Sequence, residues 1–248
     1  MLFNFFKSKD SAESKLFYKT DIHCHIMPGV DHGAQTVEES LQLIEAQQRW
    51  GIEQIILTSH VTDDTFENNP ETLAEGFRVL SEGVKDAGNP IKLAYSAEYR
   101  IDTLFVNQLE NGLIVPMPDN YLLLENAFIQ EPIGLDRLLF DLKVKGYKVI
   151  MAHPERFPYY YGNLDRYKEL HEAGNRFQIN LLSLAGFFGK DAKKTAEWIV
   201  KNGMADFLGS DMHHIRHAET IDKYLHSGEY RKLLPWLERT VKNDIFKL

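Results

Sequence analysis

The chain has 248 residues, 44% of them hydrophobic and 26% charged, an ordinary soluble globular composition with enough length to bury one large core. Its formal net charge of −8 speaks against a nucleic-acid groove, which needs a basic stripe, yet leaves an anionic substrate open because bound metals invert the local field. No run approaches the roughly 18 apolar residues that span a bilayer, and the single cysteine, Cys24, excludes an internal disulfide and accords with a reducing, cytoplasmic location.

The first segment, Met1 to Lys15, carries Leu2, Phe3, Phe5 and Phe6 and then Lys7, Ser8, Lys9, Asp10 and Ser11. It has neither a long apolar region nor a small-residue cleavage site, so it does not read as a secretory signal. It reads as a frayed tail, residues 1–15, with a weak membrane or partner contact as the other reading; a single domain is expected over residues 16–248.

The first strand is expected over Tyr18–His23. Thr36, with Glu39 three positions later, has the signature of a capping box for a helix over Val37–Trp50, where Val37, Leu41, Ile44 and Trp50 recur at helical spacing. A strand over Gln54–Thr58 follows, then a helix started by Pro70, running towards Lys85 and stopped by Gly88-Asn89-Pro90. Strands are expected over Ile91–Ala97, Tyr121–Glu125 and Lys148–Ala152, with a helix over Leu135–Lys145 that ends at Gly146. After a strand over Phe177–Asn180 and a helix over Ala192–Asn202 comes the seventh strand, Asp206–Gly209. Tyr230–Lys247 reads as a closing helix with Pro235 in its first turns. Strands alternating with helices imply a parallel sheet, and about seven such units point to a barrel, with an open doubly wound sheet as the alternative.

The ionisable residues keep to one end of those strands. His23 and His25 end the first, His60 follows the second, Glu98 follows the third, Glu125 ends the fourth, and His153 ends the fifth; Asp211 and His213 follow the seventh. In a barrel these C-terminal ends converge on one face, where active sites are built. Alternation along an extended chain puts the rings of His23 and His25 on one side, and Asp211-Met212-His213 repeats the spacing. Taken singly, each would read as a structural histidine or a solvated carboxylate. Their joint placement reads as a metal site, and imidazole with carboxylate suits zinc, iron or manganese.

The segments Asp21-Ile22-His23-Cys24-His25, Pro28-Gly29-Val30-Asp31, Thr58-Ser59-His60, Ala97-Glu98-Tyr99, Leu124-Glu125, Ala152-His153-Pro154-Glu155-Arg156 and Gly209-Ser210-Asp211-Met212-His213 stand in this order. From about Thr20 to about Arg216 the chain resembles the polymerase-and-histidinol-phosphatase (PHP) family, and within it most of all the bacterial protein-tyrosine phosphatases of capsule and exopolysaccharide loci. The resemblance implies an α/β fold, a distorted seven-stranded (β/α)7 barrel holding three divalent metals, manganese foremost, with iron or zinc as alternatives. On that pattern His23, His25, Glu98 and Asp211 hold the first metal; Glu98 bridges to the second, with Glu125 and His153; His32, His60 and His213 hold the third. It also implies a partner, an autophosphorylated bacterial tyrosine kinase controlling polysaccharide export.

Two departures stand out. Where the tyrosine phosphatases usually carry Asp-Asp-Gly, this chain has Asp31-His32-Gly33, so His32 replaces an aspartate ligand, as in other members of the family, and Asp31 reads as pointing outward. After His60, where basic residues are common in those phosphatases, the chain reads Val61-Thr62-Asp63-Asp64, which weakens any reading of how a phosphopeptide is held.

The expected chemistry is hydrolysis of a phosphate monoester by water that bound metals have acidified, with arginine gripping the phosphoryl oxygens. Arg156 is the first candidate, with Arg216 and Arg100 behind it; a surface salt bridge is the other reading for each. Asn180 orients a ligand or substrate, or else packs or caps the backbone, and Tyr159-Tyr160-Tyr161 forms an aromatic wall or belongs to the core or an interface. His214 and His217 have no assigned role and read as solvated. A cysteine-nucleophile mechanism would need an arginine six positions after the cysteine, and Val30 stands there; Cys24 is expected to face away from its neighbouring histidines into the core. Three alternatives remain: a small-molecule phosphatase of the histidinol-phosphate type, a polymerase-associated nuclease, which the acidic charge disfavours, and a non-catalytic, metal-stabilised binding protein.

Overall fold

The computed structural model describes residues 15–248, so the expectation for the N-terminal tail lies outside the described residues, Lys15 apart. Seven strands run parallel in one sheet in chain order: β1 (Thr20–Asp21), β2 (Gln54–Val61), β3 (Lys92–Arg100), β4 (Tyr121–Glu125), β5 (Lys148–Ala152), β6 (Arg176–Asn180) and β7 (Phe207–Gly209). Nine helices cross between or after them: α1 (Val37–Arg49), α2 (Pro70–Asp86), α3 (Thr103–Glu110), α4 (Leu135–Val144), α5 (Leu164–Glu172), α6 (Leu181–Leu184), α7 (Lys190–Lys201), α8 (Ile215–Leu225) and α9 (Gly228–Thr240) among the described residues. The expected seven-stranded barrel is what the chain forms.

The helix starts follow the local chemistry. The Thr36 side chain accepts from the Glu39 amide, and the return bond comes one residue early, from the Gln35 amide to Glu39 Oε2. Before α2, Asn69 and Thr72 form a reciprocal capping box with Pro70 in the first turn.

Closure of the barrel is less regular than its walls. β1 covers two residues where a longer strand was expected, and it shares no ladder with β7. The gap is bridged just beyond both strands, where the Asp211 amide donates to the His23 carbonyl at 2.8 Å and the His25 amide to the Met212 carbonyl at 3.0 Å. At the opposite end the fully buried Asn243 side chain spans the seam, donating to the carbonyls of Thr20 and Leu208 and accepting from the Leu208 amide, each at 2.8–3.0 Å. An asparagine amide thus replaces ladder bonds that a two-residue strand cannot make.

Alternation sorts the apolar residues into two layers. Ile22, Ile56, Leu123, Ile150 and Phe207 fill the lumen, and Phe246 packs with them against the rings of Tyr121 and Phe207, closing the N-terminal end. The larger outer core lies between the sheet and the helices, with Leu57, Leu124, Met151 and Leu208 in one cluster with Ile44, Leu80, Leu139 and Ile199. The lumen is therefore a packed core at one end, and the polar site occupies the other.

Some local expectations needed correction. The closing helix stops at Thr240 and gives way to a single turn at Asn243–Ile245, and Pro235 lies inside α9 rather than in its first turns. The helices α3, α5, α6 and α8 stand where no element was expected.

Candidate metal centre

The strand ends deliver a dense set of donor atoms. His23 Nε2 and His25 Nε2 are 3.2 Å apart; His23 Nε2 is 3.3 Å from Glu98 Oε2 and 3.5 Å from Asp211 Oδ1; His25 Nε2 is 3.3 Å from both. A tetrahedral ion with donors at about 2.0–2.2 Å needs edges of about 3.3–3.6 Å between them, which is the spacing found. The four side chains are almost wholly shielded from solvent. The Glu98 carboxylate turns its other oxygen the opposite way, with Oε1 2.9 Å from His153 Nε2, itself 3.6 Å from Glu125 Oε1. Glu98 thus turns one carboxylate oxygen to each of two groups of donor atoms.

A third grouping comprises His25, His60 and His213, whose donor atoms lie within 4.8 Å of one another. His32 is exposed and stands outside that grouping; its ring stacks on His213 and His60 with centroids 4.4 and 5.0 Å away.

The side chains fit a metal better than they fit one another. His213 Nε2 is buried without a hydrogen-bond partner, and Glu98 Oε2 and His60 Nδ1, though 3.0 Å apart, lack hydrogen-bond geometry, a costly state that a cation relieves. Protonation is equally at odds. Burial, reinforced by the charges of Glu98 and Asp211, pushes Glu125 up to about 8. Burial pulls His60 down to about 3, with His25 adding to the fall, and His153 down to about 4, with Arg156 adding to it. Burial works against a charge on His25 too, but Asp31, Asp211 and Glu98 together hold it well above the usual imidazole range. Carboxylates and imidazoles forced into opposite compromises make an ordinary metal-ion cage.

The residues behind the donors fix which ring nitrogen faces inward. Asp31 is buried and points inward, not outward: its carboxylate accepts from His25 Nδ1 at 2.8 Å, from the His60 amide at 2.9 Å and from the Gly33 amide at 2.9 Å. Gly33 is required there because any side chain would run into the His25 carbonyl. His213 Nδ1 engages the Asp211 carbonyl, leaving Nε2 free. Asn180 both caps α6 through the Leu182 amide and donates to Asp211 Oδ2 at 2.6 Å, so it orients a donor carboxylate. At His153, β5 ends in a left-handed residue, φ 30°. Ile150 and Ala152 face the lumen, so strict alternation would point residue 153 outward, and the unusual backbone brings its ring back in.

Above the donors lies a cleft of about 700 Å³, lined by His32, His60, Glu125, Arg156, Asp211 and His213 and walled by Phe66, Phe128, Phe187 and Phe188. Arg156 enters it with Nη1 2.8 Å from Asp211 Oδ2 and its guanidinium 4.0 Å from the Phe188 ring centre and 5.1 Å from that of Phe128. Arg100 also lines the cleft, 3.6 Å from Asp102. Arg216 is exposed beside Phe187 and does not line it. Nor does Tyr159, whose hydroxyl donates to the Ala127 carbonyl, or Tyr160, which is buried; phenylalanines supply the aromatic wall instead of the Tyr159–Tyr161 run. His217 is not solvated but buried, with Nδ1 accepting from the His213 amide, while exposed His214 lines the cleft. Cys24 is fully buried among apolar neighbours, and burial pushes its thiol well above the usual range, so it stays protonated.

With this geometry in view, a family model described as capsular polysaccharide synthesis, CpsB/CapC, matches residues 19–223. The chain is 32% identical over 221 residues to the tyrosine-protein phosphatase YwqE of Bacillus subtilis (strain 168), covering 88% of this chain and 87% of that protein. It is 33% identical over 207 residues to the tyrosine-protein phosphatase CpsB of Streptococcus pneumoniae, covering 79% and 83% respectively. A solved structure from the pair YwqE of B. subtilis and CpsB of S. pneumoniae, described as unique metal-dependent tyrosine phosphatases, matches with a TM-score of 0.74 at 30% identity, covering 90% of this chain and 94% of that one.

Proposed function

The chain belongs to the CpsB/CapC family of capsular polysaccharide synthesis, and from that membership and the donor geometry we propose that it is a metal-dependent protein-tyrosine phosphatase. The observation that carries the metal reading is the set of 3.2–3.5 Å spacings among His23, His25, Glu98 and Asp211. We assign His23, His25, Glu98 and Asp211 to a first ion, Glu98, Glu125 and His153 to a second, and His60 and His213, with His32 or His25, to a third. Manganese is the proposed metal, with iron and zinc compatible with the same donors.

Divalent metal in these sites supplies Lewis acidity to the phosphoryl group and a water acidic enough to attack phosphorus near neutral pH. The protein's own groups do the rest. Arg156 is held by Asp211 and by the faces of Phe128 and Phe188, which leaves the remaining N–H groups of its fork for two phosphoryl oxygens. Phe66, Phe128, Phe187 and Phe188 offer flat surfaces to an aryl leaving group and exclude water beside it. Exposed His32, Thr65 and His214 at the lining leave the cleft open, which suits a phosphotyrosine carried on a polypeptide better than an enclosed small molecule.

The proposed physiological substrate is an autophosphorylated tyrosine kinase of polysaccharide export, met in the cytoplasm. Among the described residues no helix is long and apolar enough to cross a membrane. The test is phosphate release from a phosphotyrosine peptide and from histidinol phosphate, with manganese and after chelation. Metal-dependent turnover of the peptide supports this reading. Turnover of histidinol phosphate alone moves the substrate to a small molecule, and turnover of neither by a metal-loaded protein contradicts the assignment.

A further inference from the structure

Gln178 lies on β6, is fully buried, and stands close to two proposed donors that belong to different sites. Its Oε1 is 2.7 Å from His23 Nδ1 and 3.3 Å from the backbone nitrogen of His153. We propose that Gln178 is a positioning residue that sets the tautomer of His23 and holds the backbone of His153, and so aligns a donor of the first ion with a donor of the second. The inference rests on the metal assignment above for its consequences, and on hydrogen-bond geometry for its substance.

A side-chain carbonyl oxygen only accepts, so His23 must carry a proton on Nδ1, and in the neutral ring Nε2 is the atom whose lone pair, facing His25, Glu98 and Asp211, would be offered to a metal. The same oxygen takes the amide of His153, the residue whose left-handed backbone returns its ring to the lumen. Because β5 and β6 are in register at Ala152 and Gln178, the glutamine lies beside the point where β5 departs from extended geometry. One oxygen therefore compensates a strained backbone and fixes a ring, an arrangement that ties the two donors to one support.

The space for this side chain is made by β7. A Cβ at position 209 would lie 2.6 Å from Gln178 Nε2 and 2.7 Å from His23 Cβ, so Gly209 is what lets glutamine and histidine meet. The choice of an amide also has a chemical sense. His25 is backed by the Asp31 carboxylate, whereas His23 is backed by a neutral acceptor, so the lumen, already holding Glu98, Glu125 and Asp211, takes on no further charge. Gln178 Nε2 is buried with no hydrogen-bond partner, which marks the side chain as retained for its oxygen and not for a fully satisfied amide.

The experiment uses the full chain and two variants. Gln178→Met keeps the volume and removes the acceptor; Gln178→Glu keeps the acceptor. Manganese affinity is measured by calorimetric titration, and thermal unfolding of the chelated proteins is followed in parallel. The expected result is a loss of about 10- to 100-fold in manganese affinity for Gln178→Met, with substantial recovery in Gln178→Glu and little difference in the chelated unfolding temperatures. Equal affinity of Gln178→Met and wild type, or equal loss in both variants, overturns the proposal. Long-range nitrogen–proton NMR of chelated wild-type protein, recorded at a pH where the His23 ring holds a single proton, reads its tautomer directly and needs neither variant to fold nor metal to bind. A proton on Nδ1 supports the proposal, and a proton on Nε2 alone overturns it whatever the fate of the phosphatase assignment.

Discussion

Replacing Arg156 separates the two tasks that its position gives it. The guanidinium donates from Nη1 to Asp211 at 2.8 Å and lies 4.0 Å above Phe188, with its side chain 19% exposed towards the cleft. Arg156→Ala removes a charged, pre-aimed donor from the developing phosphoryl charge, a loss of about 3–4 kcal/mol in comparable oxyanion sites, so kcat/KM on a phosphotyrosine peptide is expected to fall about 100- to 1,000-fold. Arg156→Lys keeps the charge but loses the fork and much of the stacking, so an intermediate fall, about 10- to 100-fold, is expected. Asp211 keeps its contacts with Asn180 and with the histidines in either variant, so manganese content should change little. The assay is steady-state turnover of the peptide with metal content measured on the same preparations. Turnover of Arg156→Ala within threefold of wild type at equal metal content would show that Arg156 does not stabilise the phosphoryl charge.

Three further outcomes are expected. Asp31→Ala strips an acceptor shared by His25, His60 and Gly33, and manganese affinity should weaken about 10- to 100-fold in a calorimetric titration; wild-type affinity would show that these contacts do not orient the donors. Burial raises Glu155 to about 7 from an unfolded value near that of a free carboxyl, so its neutral form favours the fold: that stability is complete at low pH and is lost as pH rises through about 7. In chelated protein, Glu155→Gln should therefore flatten the fall in unfolding free energy between about pH 5 and pH 8, by at most about 3 kcal/mol, and an unchanged profile contradicts the assignment. Cys24→Ser should keep most phosphatase activity, because the thiol is buried and protonated in the core; an inactive variant that folds and binds metal would return the cysteine to the mechanism.

The parts of the fold that were legible are those written in the period of the sequence. Tyr121–Glu125 and Lys148–Ala152 are read to the residue, because short apolar runs bounded by turns specify buried strands almost by themselves. The helix α1 declares itself through Thr36 and its stripe of Leu41 and Ile44. Helix α5, by contrast, buries only Tyr167 and Leu170 within a polar sequence, with Leu164 half-buried at its start, and α8 follows so directly upon His213 that the site masks it. The seam between β1 and β7 is invisible to periodicity because a side-chain amide, Asn243, replaces backbone pairing.

At the site, the ordered histidines and carboxylates foretold a converging donor set, since position at a strand end is a property of sequence. The supports were harder to see. Gln178 has no feature in the sequence that sets it apart from any other strand residue, and its role appears only when β6 is laid beside His23 and His153. Asp31 did carry a signal, a carboxylate six positions after His25 and two before a glycine, but direction is settled by the Gly33 turn and the bond to the His60 amide. The aromatic wall fell to the wrong cluster for a similar reason: three consecutive tyrosines are conspicuous, while Phe66, Phe128, Phe187 and Phe188 are scattered along the chain and meet only in space.

The most direct test of the metal centre is anomalous diffraction from crystals grown with manganese. A strong peak is expected among His23 Nε2, His25 Nε2, Glu98 Oε2 and Asp211 Oδ1, and a second shared by Glu98, Glu125 and His153. Manganese found only at the surface carboxylates of half-buried Asp63 and exposed Asp64 and Glu67, with none among the four buried donors, would contradict the assignment.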